Sequence, residues 1–93
     1  MSKQVHGLIE ELGESGMKML MMLNKGPAKL SDFKIELGMG SEAIYRCLVI
    51  LLKHNIIKEE EDVKGNKRIF SLTEKGKKIS NLIIEANKLF ESP

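Results

Sequence analysis

The chain has 93 residues, 42% of them hydrophobic and 30% charged, and a formal net charge of +2. That length suits one hydrophobic core and hence one domain, spanning 1–93, and the balance of apolar and charged residues excludes a wholly disordered chain. A net charge of +2 is too small to point to a nucleic-acid partner by itself, so such a partner has to be sought in where the charges sit.

Cys47 is alone and excludes an internal disulfide, and no basic start followed by an apolar run resembles a signal peptide, so a reducing cytoplasm is expected. The longest apolar run, Cys47 to Leu52, is far short of the roughly 20 residues that cross a bilayer, so no membrane partner is expected. With 4% aromatics and no Trp, the core has to be aliphatic and Met-rich, with Met17, Met19, Met21 and Met22 crowded together.

In chain order, Val5, Leu8, Ile9 and Leu12 recur at helical spacing until Gly13 and the Ser15-Gly16 pair interrupt them, which predicts a short first helix. Met17 to Leu23 is apolar almost all round, as a central core helix would be, and Asn24, Gly26 and Pro27 stop it. Ala28 to Leu30 reads as a bridge of extended chain. Ser31 is the predicted N-cap of a short helix with Leu30, Phe33 and Leu37 on its apolar face, ended by Gly38 in a left-handed conformation. Met39 and Gly40 complete a tight corner.

Ser41 is a second predicted N-cap, and the helix it opens, 41–54, holds no Gly or Pro and aligns Ile44, Leu48, Leu51 and Leu52. Asn55 suits its left-handed C-cap. Ile56 to Asp62 and Lys67 to Leu72 read as two strands joined by a turn around Gly65. Thr73 is a third N-cap, and the last helix carries Ile79, Leu82, Ile83, Ala86, Leu89 and Phe90 as one stripe that would face a partner.

A short helix, a three-residue corner and a longer helix, followed at once by a hairpin with a basic tip, is an arrangement for double-stranded DNA. With Ile44 facing the core, Ser41, Glu42, Tyr45 and Arg46 point outward from the first turns, where base edges would lie in the major groove. Arg46 suits guanine or phosphate, Tyr45 a sugar or phosphate, and Glu42 a cytosine amino group. The hairpin tip, 63–68, holds Lys64, Asn66, Lys67 and Arg68 and no acid, whereas Glu59, Glu60, Glu61 and Asp62 precede it. Cations there would bind the phosphate backbone or the minor groove without reading sequence.

From Ser31 through Gly76 the chain resembles the winged helix-turn-helix transcription regulators of the MarR, PadR and ArsR type. The resemblance lies in Leu-Ser-Asp-Phe, Leu-Gly-Met-Gly-Ser, Ile-Tyr-Arg, Leu-Lys-His-Asn-Ile-Ile-Lys and, most specifically, Leu72-Thr73-Glu74-Lys75-Gly76, which in those families ends the wing and starts the last helix. It implies a mainly α fold with a small β-hairpin, in a homodimer that binds DNA and regulates transcription. Three positions depart from the pattern. Lys34 stands where Ala commonly lets the two helices approach, and Val49 and Ile50 stand where relatives often carry basic residues. The long extra helices of full MarR proteins do not fit into 93 residues, so dimerisation is expected of the last helix, through the stripe named above, with the helix of Leu8, Ile9 and Leu12 as the other candidate.

Cys47, His6 and His54 fall on different segments, so no metal is expected, and no cofactor. Glu59 and Glu61 share a strand face without a nucleophile or phosphate-binding loop, so neither catalytic residues nor an enzyme are expected. The alternative function is a winged-helix protein–protein interaction module that binds no DNA and presents Val49, Ile50 and the C-terminal stripe instead.

Overall fold

The computed structural model describes residues 5–61 and 68–93. The elements run α1 (Val5–Lys25), β1 (Ala28–Lys29), α2 (Leu30–Leu37), α3 (Ser41–Lys53), β2 (Ile57–Glu61), β3 (Arg68–Leu72) and α4 (Glu74–Glu91). This is the mainly α fold with a small sheet expected from the sequence, with one strand more than the hairpin.

The predicted first and core helices are two segments of α1. They meet at Gly13, which sits at φ 66°, ψ −176°, outside the helical region, and the axis kinks there. That region of backbone space is essentially glycine's alone. Gly16, one turn later, is buried against Leu12, whose Cβ lies 2.8 Å from where a side chain on Gly16 would begin.

The bridge after Pro27 is a strand. Ala28 pairs with Phe70 and Lys29 with Ile69, which makes β1 the outer strand of an antiparallel sheet ordered β1-β3-β2. A two-residue strand has no alternation to read, so only its partner reveals it. Because the chain leaves β1 straight into α2, the helix starts two residues early and the cap falls on Lys29, not on Ser31. Lys29 N donates to Asp32 Oδ2 at 2.8 Å, so a carboxylate in the first turn reaches back to do the capping. Gly38 ends α2 at φ 66°, ψ 26°, as predicted.

Ser41 is likewise inside its helix. Gly40, extended at φ −79°, ψ 161°, is the N-cap of α3, and Ser41 is the first helical residue and exposed. At the other end His54 is the C-cap and Asn55 takes the left-handed conformation at φ 58°. Asn55 N donates to Leu52 O at 3.0 Å and Ile56 N to Leu51 O at 2.9 Å, the paired bonds of a Schellman ending.

The core lies where the second half of α1, α2, α3 and the inner face of the sheet meet. Met19, Leu20, Phe33, Ile44, Cys47, Leu48, Leu51 and Phe70 are fully buried there. At about 1.5–3 kcal/mol for each large apolar side chain removed from water, this cluster is the main stabilising contribution. Cys47 is one of its packing residues, and burial pushes its thiol pKa up, against a smaller lowering by Arg46. Lys34 points to solvent, so the place of the expected Ala imposes no bulk between α2 and α3.

Candidate nucleic-acid interface

The outward face of α3 follows from its inward one. Ile44, Cys47, Leu48 and Leu51 are buried, which turns Ser41, Glu42, Tyr45, Arg46 and Val49 to solvent on the opposite side. Tyr45 is 47% and Val49 63% exposed, whereas Ile50 packs against the core. Of the two apolar residues set apart in the sequence, only Val49 is left uncovered.

What fixes α3 relative to the sheet and α4 is the Leu72–Gly76 string. Thr73 N donates to Ile56 O at 3.0 Å, and its hydroxyl donates to the carbonyls of Asn55 (2.5 Å) and Ile56 (3.1 Å) while accepting from Gly76 N (3.0 Å). Lys75 Nζ donates to His54 O at 2.8 Å. These bonds satisfy carbonyls at the C-terminal end of α3 and just beyond it, and they cap the first turn of α4 with the same threonine. A Cβ on Gly76 would run into the Ile56 carbonyl, so only glycine permits so close an approach.

Of the predicted wing residues, Lys64, Asn66 and Lys67 lie outside the described residues. Arg68, the first residue of β3, is described, and it is occupied. Its Nε donates to Glu59 Oε2 at 2.6 Å and its Nη2 to Glu59 Oε1 at 3.0 Å, and the guanidinium lies 5.2 Å from the centre of the Phe70 ring. The hydrogen bonds to Arg68 lower the Glu59 pKa, and the same bonds raise that of Arg68, with the Tyr45 hydroxyl adding a smaller electrostatic contribution. Register explains the pairing: Glu59 opposes Phe70 and Glu61 opposes Arg68, so Arg68 reaches Glu59 along the diagonal. The sequence offers Glu59 no visible partner, because diagonal pairing is invisible until the hairpin register is known.

The α4 stripe divides. Ile79 and Ile83 pack on the chain's own core, whereas Leu82, Leu89 and Phe90 are 64%, 77% and 86% exposed, and Ala86 is exposed beside them. Two further contacts were not foreseen. Asn24 Nδ2 donates to the buried Ser80 Oγ at 2.6 Å, tying α1 to α4, and His54 Nε2 lies 3.0 Å from Glu11 Oε1, tying α3 to the first half of α1. Among the described residues no group of three or more His, Cys, Asp or Glu is placed to hold a metal ion, and no helix is long and apolar enough to cross a membrane.

No family profile matches the sequence, and no curated protein matches it significantly. The fold does have solved counterparts. The structure of Lactococcus lactis ZitR (C30AH42A mutant) superposes at a TM-score of 0.79 with 19% identity, over 83% of this chain and 53% of that one. The adhesin competence repressor AdcR of Streptococcus pyogenes gives 0.77 and 18%, over 92% and 65%. The transcriptional repressor BigR of Xylella fastidiosa gives 0.75 and 18%, over 96% and 88%. AdcR and BigR are repressors by name, and the fold this chain shares with these neighbours is the winged helix read from its sequence. The chain spans between about half and two thirds of the length of ZitR and AdcR.

Proposed function

We propose that this chain is a sequence-specific, double-stranded DNA-binding transcription regulator that works as a homodimer in the cytoplasm and catalyses no reaction. The observation that carries the reading is the outward face of α3. Ser41, Glu42, Tyr45 and Arg46 are exposed on the first turns of a helix whose other face is wholly buried and whose end is tied down by Thr73 and Lys75. A rigid helix with a polar N-terminal face is what the major groove admits. The wing, 63–68, then lies along the phosphate backbone or in the minor groove and supplies affinity without sequence. AdcR and BigR, which share the fold, are repressors by name, and this chain is read as acting in the same manner.

For the homodimer, the exposed Leu82, Ala86, Leu89 and Phe90 are the contact, with Ile79 and Ile83 supporting them from beneath. Beside them, Met17, Met21, Met22, Leu37, Ile83 and Ile84 line an apolar groove between α1, α2 and α4 that a second copy would cover. Val49, 63% exposed on α3, favours the alternative of a protein-binding module without DNA.

One titration separates them. Selection from a random duplex pool, followed by titration of the selected site, is expected to give binding that weakens about 10-fold or more with Arg46→Ala and relaxes at one base position. Lys67→Ala is expected to weaken all duplexes alike and to reduce the salt slope by about one. Selection of no sequence, with retention indifferent to both changes, would overturn the DNA reading and leave the protein-binding one.

A further inference from the structure

The inner face of the hairpin outruns the core. Along it stand Ile57, Glu59 and Glu61 on β2 and Leu72, Phe70 and Arg68 on β3, and burial ends at Ile57, Phe70 and Leu72. The next residues outward, Glu59 and Arg68, therefore emerge from the core on the side of the sheet that carries α3. Two donors of the Arg68 fork meet the two oxygens of one carboxylate, at 2.6 and 3.0 Å, and the ring of Phe70 lies under the cation. Two oxygens of a phosphate engage an arginine fork in the same bidentate way. Glu60, one residue on, points to the other face of the strand and lies 3.8 Å from Lys58.

We infer that Glu59 occupies, in the free protein, the place of a backbone phosphate at Arg68, and so determines how many phosphates each subunit neutralises. The inference deepens the DNA-binding reading and rests on it. The net charge of the pair is zero while it is closed, and a duplex phosphate approaching Arg68 meets the Glu59 carboxylate first. Arg68 is the cation sequence reading placed on DNA, and with Glu59 present it contributes no phosphate contact. A carboxylate and a guanidinium are both charged across the neutral range, and their mutual hydrogen bonds lower the pKa of Glu59 and raise that of Arg68, so the competition persists there.

The test is a salt titration of a labelled duplex against wild type, Glu59→Gln, Glu60→Gln, Arg68→Ala and the Glu59→Gln/Arg68→Ala double variant. Glutamine keeps the size and an acceptor oxygen of Glu59 and removes the charge, so the hairpin is retained. One freed phosphate contact per subunit steepens the slope of log K against log salt by about 0.9, so the affinity ratio between about 50 and 200 mM salt grows about 3.5-fold for one subunit and about 12-fold for the dimer. Glu59→Gln is expected to show that gain, Arg68→Ala alone to leave the slope unchanged, and the double variant to return it to the wild-type value. Glu60→Gln removes the same charge from the opposite face and is expected to leave the slope near wild type. If Glu59→Gln and Glu60→Gln behave alike, or if Glu59→Gln weakens binding, Glu59 is no phosphate surrogate, although wild-type binding would still uphold the DNA reading. If no form, wild type included, binds any duplex, both fall.

Discussion

A methyl group on Gly76 has nowhere to go. The carbonyl of Ile56 occupies its place, and behind that carbonyl stands the Schellman ending of α3, which cannot retreat without giving up the bonds to Leu51 and Leu52. Gly76→Ala is therefore expected to cost about 1–3 kcal/mol, as overpacking against backbone does, and to lower the urea midpoint without changing the m-value. A loss below about 0.5 kcal/mol would mean that α4 slides along α3 freely. The string Leu72–Gly76 was legible as a motif, but the reason for its glycine was not. The obstructing carbonyl sits twenty residues earlier, and only the folded chain brings the two together. Arg68 teaches the converse. Its charge was legible and its occupation by Glu59 was not, because a cross-strand diagonal depends on where the turn places the register.

At the scale of elements, local chemistry located helices well and their first residues less well. Apolar spacing found α3 because Ile44, Leu48 and Leu51 repeat at helical intervals into a core that buries them. The serines misled, since Ser31 and Ser41 are good cap residues that β1 and Gly40 pre-empt. Thr73 succeeded because its hydroxyl has both roles to fill, receiving Gly76 N and donating to the loop after α3. Gly13 is the element-scale counterpart of Gly76. The break predicted there is one residue of backbone at φ 66°, ψ −176°, and it redirects the first half of α1 so that Leu12 enters the core and Glu11 meets His54. Nothing lies within 4 Å of the place a Cβ on Gly13 would take, so Gly13→Ala tests conformation and not space. It is expected to cost about 1–3 kcal/mol and to raise amide exchange before residue 13 more than in α3. Unchanged stability with unchanged exchange would show that the kink is not required for the docking of that half.

At the scale of the molecule, the proposed DNA binding would have to be carried by a small body. The described residues extend 45 × 33 × 26 Å, and on α3 the polar face gives way to Val49 one turn after Tyr45, so one copy can offer few base contacts. Two copies whose recognition helices stand about 34 Å apart would reach successive major grooves and double those contacts. Leu82 is the residue on which to test this, because at 64% exposure it lies outside the chain's own core and a charge there leaves the monomer intact. Leu82→Glu is expected to sediment as a monomer with an unchanged circular dichroism spectrum. Its affinity for a two-fold symmetric site should fall by about 100-fold or more, since the second subunit's contacts are lost, while affinity for one half-site stays near that of the wild-type subunit. A variant that remains dimeric would move the interface off α4. The first half of α1 would then be the place to look: among its described side chains Leu12 is buried and Leu8 packs on the core, while Ile9, 52% exposed, is turned outward. Among the described side chains α4 offers three large exposed apolar residues and an adjoining groove, and it is the stronger surface for a second copy to cover.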